Sequence, residues 1–188
     1  MNKNLKTEYR HAIKTIALFL FCTSCLGEDF QNNATQTHVV DLDRDGHMEI
    51  VVVDSENPGA RVAWMKAPAD PRQLWTIYDI TPRTVDLGAL HSLVVADINN
   101  DGNPDIITVE MEWMKGDKPP RWWAFLNTGN GQFESKVILD ANLGGHEAEV
   151  GDVDGDGDLD VCAKLWRPQK DNGNGGSNHF SYLENLSK

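Results

Sequence analysis

Cysteine is scarce in this chain: three residues among 188. Two of them, Cys22 and Cys25, lie in the first 25 residues, so Cys162 stands alone in the remainder and a disulfide framework is excluded. Positive charge is also short. Lys and Arg number 17 against 29 Asp and Glu, giving a net charge of −12. Such a balance argues against nucleic acid and against an anionic membrane surface as partners. Long apolar runs are missing as well. The segment Ile16–Cys22 is apolar but too short to span a bilayer. No helical period of apolar residues appears after residue 30.

What the chain does have is one acidic loop written three times. The copies are Asp41-Leu-Asp43-Arg-Asp45-Gly46-His47-Met-Glu49, Asp97-Ile-Asn99-Asn-Asp101-Gly102-Asn103-Pro-Asp105 and Asp152-Val-Asp154-Gly-Asp156-Gly157-Asp158-Leu-Asp160. They open 56 and 55 residues apart. Calcium takes about six to eight oxygens at about 2.3–2.6 Å. Side chains at positions 1, 3 and 5 of a tight turn can converge on one ion. Glycine at position 6 permits the bend, because it reaches positive φ without a Cβ clash. The backbone carbonyl at position 7 (His47, Asn103, Asp158) adds an oxygen, and the acid at position 9 (Glu49, Asp105, Asp160) closes the shell. The loops contain no cysteine and no paired histidine, which makes zinc or copper a poor fit. The number of protein oxygens disfavours magnesium.

An EF-hand shares the first six positions but needs Glu at position 12 and flanking helices. Position 12 here is Val52, Thr108 or Ala163, and the flanks are short β-branched runs that read as strands. A single copy of the loop would be compatible with a plain acidic surface turn. Three copies in register point to three calcium sites. Three bound ions would bring the net charge from −12 to about −6, and would couple folding to metal.

The first 25 residues have the layout of an export signal. Lys3, Lys6, Arg10 and Lys14 precede the apolar run, and Thr23-Ser24-Cys25 follows it. Small residues before a cysteine resemble a bacterial lipobox, with Cys25 as the lipidated residue. Cys22, three residues earlier, is unusual for that motif. A short linker at 26–36 leads to the repeats. The protein is expected outside the cytoplasm, in the bacterial cell envelope as an outer-membrane or periplasmic lipoprotein, or in the extracellular space. Any membrane contact would run through the lipid anchor alone.

Aligned on the loops, the chain divides into units of four short strands at 37–80, 91–140 and 146–188. The first unit has Thr37–Val40, Glu49–Val53, Arg61–Met65 and Trp75–Asp79. The second has His91–Ala96, Asp105–Glu110, Trp123–Asn127 and Ser135–Leu139. The third has Glu147–Val150, Leu159–Lys164 and Phe180–Asn185, and lacks a fourth strand. Four strands per repeat describe one blade of a β-propeller. The segments Val39-Val40-Asp41…Glu49-Ile50-Val51, Val95-Ala96-Asp97…Asp105-Ile106-Ile107 and Val150-Gly151-Asp152…Asp160-Val161 resemble the FG-GAP repeats of the VCBS class, which also build the integrin α-subunit propeller. The resemblance covers roughly residues 35 to 188. It implies an all-β partial propeller of about three blades, the last without its outer strand, preceded by a short helical signal segment. It also implies that the calcium is structural, bound by side chains at positions 1, 3, 5 and 9. Asn99 departs from the usual Asp, so the second site loses one charge.

A closed propeller takes about four to eight blades. Three would leave apolar faces and a strand edge uncovered. The chain is therefore expected to be the C-terminal part of a larger propeller or to assemble with another copy. In the family the last blade is often completed by a strand from the N-terminal end, and the stop at Leu186-Ser187-Lys188 resembles that arrangement. A missing piece would then lie upstream of Thr37.

In a propeller the calcium loops occupy one rim and ligands commonly bind the other. The long connections there, Met111–Trp122 and Leu165–Asn178, carry Trp113, Arg121, Trp166 and Arg167. His91 and His146 each stand six residues before a loop, where the first blade has Thr35. Glu147 and Lys164 fall on the same rim. Tryptophan stacks on sugar rings, and Arg or Lys pairs carboxylates or sulfates. These residues suit a polysaccharide, with a surface protein as the next class. The plain alternative is that the tryptophans pack between blades and the histidines cap strands. A second functional reading is a polysaccharide lyase or glycoside hydrolase, with His91, His146, Lys164 and Arg167, or Glu110 or Glu112 with Glu147, supplying the acid–base groups. No spacing motif selects them, so the expectation leans toward an interaction module without catalysis.

Overall fold

Eleven strands among the described residues form three antiparallel sheets that follow one another along the chain. The computed structural model describes residues 34–54, 60–81, 86–112, 119–168 and 173–186. The first 25 residues, expected to be an export signal ending at Cys25, and Trp113 lie outside the described residues. The first sheet runs β1 (Ala34–Val40), β2 (Glu49–Asp54), β3 (Arg61–Lys66) and β4 (Thr76–Asp79) in that order. The second runs β5 (Val94–Ala96), β6 (Asp105–Val109), β7 (Trp122–Gly129) and β8 (Gln132–Leu139). The third has β9 (Glu147–Gly151), β10 (Asp160–Lys164) and β11 (Phe180–Leu183), with β10 in the middle. Each sheet is a blade, and the three together are a partial propeller. No helix occurs among the described residues.

Side-chain alternation explains how the blades stack. Successive residues of a strand point to opposite faces, and the middle blade uses both faces for packing. Ile106, Trp123 and Phe125 join Val51, Val53, Val62 and Trp64 of the first blade in one core. Ile107, Val109, Trp122 and Ala124 join Ala148, Val161 and Ala163 of the third blade in another. Strands buried on both faces read as unbroken apolar runs, which is the pattern of Ile106-Ile107 and Trp122–Phe125. Burying one such large side chain stabilises by about 1.5–3 kcal/mol. The innermost strands β1, β5 and β9 touch in succession, so they share the axial side. The far face of the third blade has no neighbour among the described residues. Phe180 and Tyr182 stand exposed there.

The expected strands are present with shifted ends. The first strand of the middle blade is shorter than the expected His91–Ala96. Ser92 is the cause. Its hydroxyl oxygen accepts the Val109 N–H at 2.9 Å, and its carbonyl accepts the Thr108 hydroxyl at 2.6 Å. Side chains thereby replace the backbone ladder at this point, and pairing resumes only as a single bridge from Leu90 to Glu110.

Candidate functional site

The acidic loops join the first two strands of each blade and share one internal architecture. The position 1 carboxylate accepts two backbone N–H groups of its own loop. These are Asp45 and Gly46 on Asp41, Asp101 and Gly102 on Asp97, and Gly155 and Gly157 on Asp152. The position 5 carboxylate accepts the N–H of position 7, at 2.8 Å for both Asp45–His47 and Asp101–Asn103. Side chains thus hold the turn. Positive φ recurs at two positions in every copy. At position 6 it falls on Gly46, Gly102 and Gly157, and at position 4 on Arg44, Asn100 and Gly155. The sequence pattern announced only the first of these.

The position 9 acids have a role that the spacing alone did not show. Asp105 accepts the Ile98 N–H at 3.1 Å and the Asn127 N–H at 2.7 Å, one on each oxygen. Asp160 does the same with Val153 and Asn185, both at 2.9 Å. These two carboxylates latch the loop to the third strand of the blade. Glu49 is one methylene longer. Its Oε2 accepts the Leu42 N–H at 2.9 Å, whereas Oε1 is buried with no hydrogen-bond partner among the described residues. Burial, which is complete for Glu49, raises the pKa of its carboxyl.

Among the described residues, two clusters could hold a metal ion, Asp41, Asp43 and Asp45, and Asp152, Asp154 and Asp160, with donor oxygens within 4.8 Å of one another in each; neither Glu49 nor the acids of the second loop join such a cluster. All the side-chain donors of these clusters are hard oxygens. In the third loop, burial, Asp156 and the neighbouring acids push the Asp158 carboxyl up to about 6. Negative charge is crowded there beyond what the loop itself can relieve. A divalent cation fits this donor set.

The first loop differs in its surroundings. Lys66, at the end of β3, places its ammonium against Asp43 and 2.5 Å from Asp45 Oδ2. The two carboxylates raise the lysine pKa, and Lys66 holds Asp45 below the ordinary aspartate value. Arg44 reaches the other way, to Asn103 Oδ1 in the second loop at 3.3 Å. Neither contact was legible in the repeat pattern.

At the opposite rim the structure brings most of the expected residues together. The connection ahead of β9 passes through Gly144 and Gly145. A Cβ on Gly144 would lie 2.3 Å from the Glu112 backbone, and one on Gly145 would lie 2.9 Å from Val109. The close approach delivers His146 onto His91, with ring centroids 3.7 Å apart. Trp166 leans on His146 at 4.6 Å and is 66% exposed. Lys164 and Glu147 pair at 3.1 Å beside them. Glu112, one of the candidate acid–base carboxylates, is buried in the same seam. Its Oε1 accepts the Arg167 N–H at 2.9 Å, and Oε2 has no hydrogen-bond partner among the described residues. Burial lowers the His146 pKa, and the neighbouring His91 lowers it further.

Arg121 is placed apart from this group. It donates to both oxygens of Glu110 and to the Asp86 carbonyl, and stacks 4.7 Å over Trp123. Glu110 also accepts from Gly88 N–H and Trp123 Nε1. The pair anchors the rim and is committed within it. Trp64 and Trp123 are core residues, and Trp64 stacks on Tyr78 at 4.3 Å.

Compared with known proteins, no curated protein matches the chain. Residues 41–108 and 113–163 match the FG-GAP-like repeat. The two matched stretches contain all three acidic loops and span more than half of the chain, so this protein belongs to the FG-GAP-like repeat family.

Proposed function

We propose that the chain is an exported, calcium-stabilised interaction module that binds an acidic carbohydrate at the rim opposite its metal loops. Calcium in the three loops is structural in this reading. The observation that carries the ligand site is Trp166. An indole 66% exposed, braced against the His146 ring at 4.6 Å, is an aromatic platform held open to solvent. Sugar rings stack on such faces. Lys164, ion-paired with Glu147 at 3.1 Å, and Arg167 stand two residues before it and one after it in the chain, and are cations of the kind that pairs a carboxylate or sulfate. A folded carbohydrate-free role in protein docking is the alternative outcome of the same test. The sequence layout of the first 25 residues supports export, and Cys25 supports a lipid anchor.

The test is calorimetry or a glycan array with uronic-acid and sulfated oligosaccharides in calcium. Trp166→Ala should weaken binding by tenfold or more and leave the unfolding midpoint unchanged. Binding that survives this substitution would place the ligand elsewhere.

One observation favours a lyase as the second reading. Burial and the stacked His91 ring favour the neutral form of His146, and a neutral imidazole can take the proton α to a uronic carboxylate. Release of unsaturated products from the same oligosaccharides, abolished in His146→Ala, would establish it.

A further inference from the structure

The three loops are alike in sequence, and the first carries a lysine of the protein's own on its position 3 and position 5 carboxylates. We propose that Lys66 is a built-in counter-ion of the first loop, so that this loop takes calcium only when the lysine withdraws. The proposal rests on the reading of the loops as calcium sites.

The register shows why the device is confined to one blade. The pairs Ile50–Met65, Ile106–Phe125 and Val161–Leu183 put Lys66, Leu126 and Glu184 at equivalent places in the three blades. Leu126 packs into the core between the second and third blades and carries no charge. Glu184 carries the wrong sign to replace a metal. Only Lys66 can reach across from the third strand and neutralise its loop. It does so through Oδ2 of Asp43 and Oδ2 of Asp45, side-chain oxygens of positions 3 and 5.

A divalent ion and an ammonium cannot share these oxygens, because like charges a few ångströms apart repel strongly in a partly desolvated site. Binding therefore draws only on molecules in which Lys66 has left. If about one molecule in ten is in that state, the apparent affinity of the first loop falls about tenfold. Calcium would fill the third loop before the first. The first blade would hold its loop geometry at calcium levels that leave the site metal-free.

Two measurements decide this. The first is calcium titration by calorimetry on the full chain, its Asp41→Asn variant and its Lys66→Leu variant. The expected wild-type result is that the site lost in Asp41→Asn is about tenfold weaker than the tightest site. Lys66→Leu should bring that site level with the tightest. Three equal sites in the wild type would overturn the proposal. The second uses the unmutated chain, so it is independent of whether a variant folds. Amine acetylation read by mass spectrometry should find Lys66 protected in chelator and reactive in saturating calcium. Equal reactivity in both conditions would overturn the proposal too. Failure of the calcium reading itself looks different: no site titrates at all, while Lys66 stays protected throughout.

Discussion

Asn127 donates its side-chain amide to the Leu42 carbonyl at 2.9 Å, and so ties the middle blade to the metal loop of the blade before it. The same amide reaches the Pro104 carbonyl of its own loop at 3.2 Å. Asn185 repeats the arrangement one blade later, with Ile98 at 2.8 Å and Leu159 at 3.1 Å. The equivalent place in the first blade is Ala67. One residue type thus joins two loops and two blades, and its backbone N–H closes the position 9 latch.

Asn127→Ala should therefore destabilise the protein by about 1–3 kcal/mol, the cost of leaving buried carbonyls unsatisfied. Asn127 is 1% exposed, so water cannot replace it without rearrangement. Urea unfolding monitored by tryptophan fluorescence measures the loss. The same change at Asn185, which is only half-buried, should cost less. Equal effects at the two sites would show that burial is not what sets the cost.

The repeat made the fold and the metal loops legible, because carboxylates at positions 1, 3 and 5 with glycine at position 6 demand one local shape. The strands followed from β-branched runs on either side. Residues that act across blades were not legible in the same way. Lys66 lies 21 residues after Asp45, and its approach depends on the hairpin register of β2 and β3. Asn127 and Asn185 follow their position 9 acids at unequal distances, 22 and 25 residues, so no fixed spacing marks them. The shortened β5 depends on a single serine side chain. At the far rim, His91 and His146 stood out by a shared offset from their loops. Their contact required the two glycines ahead of β9, whose function is visible only once the Glu112 backbone lies against them.

Two glycines with positive φ should respond differently to substitution. Gly46 has φ +88 and open space around its Cβ direction, so Gly46→Ala adds backbone strain alone, about 1–2 kcal/mol. Gly131 has φ +67, and its Cβ would lie 2.6 Å from Trp64 Cζ2 in the neighbouring blade. Trp64 is stacked on Tyr78 and cannot yield cheaply. Overpacking of this kind costs a further ~1–3 kcal/mol. Gly131→Ala should therefore lower the unfolding midpoint more than Gly46→Ala in metal-free buffer. Combining Gly131→Ala with Trp64→Leu should recover part of the difference.

Calcium removal should loosen the chain from the third loop outward. A metal ion at about ten times its Kd adds ~1.4 kcal/mol per site, a sizeable part of a domain stability of about 5–15 kcal/mol. Chelator should lower the melting temperature, and Asp154→Asn should lower it in calcium but much less in chelator. In the metal-free protein the same substitution removes repulsion among Asp152, Asp154, Asp156 and Asp160, so it can raise stability there. A loss of equal size in both buffers would show that Asp154 holds the turn and not an ion.

Acid should weaken the rim through His146. The ring is 6% exposed, and burial with the adjacent His91 lowers its pKa in the folded protein. Glu112 and Glu147 pull the other way, and Lys164 adds to the lowering. An unfolded histidine takes up its proton near pH ~6.5. Between that pH and the lower folded pKa, the unfolded chain binds more protons, so stability rises with pH across this window. It is fully present above about pH 6.5 and is lost as the pH falls toward the folded value, below which the loss levels off. Urea midpoints measured from pH 7.5 to pH 5 in calcium should fall for the wild type. His146→Gln should fall less steeply, since the neutral amide has no proton to take up. Parallel curves for the two proteins would mean that the acid sensitivity resides in other groups.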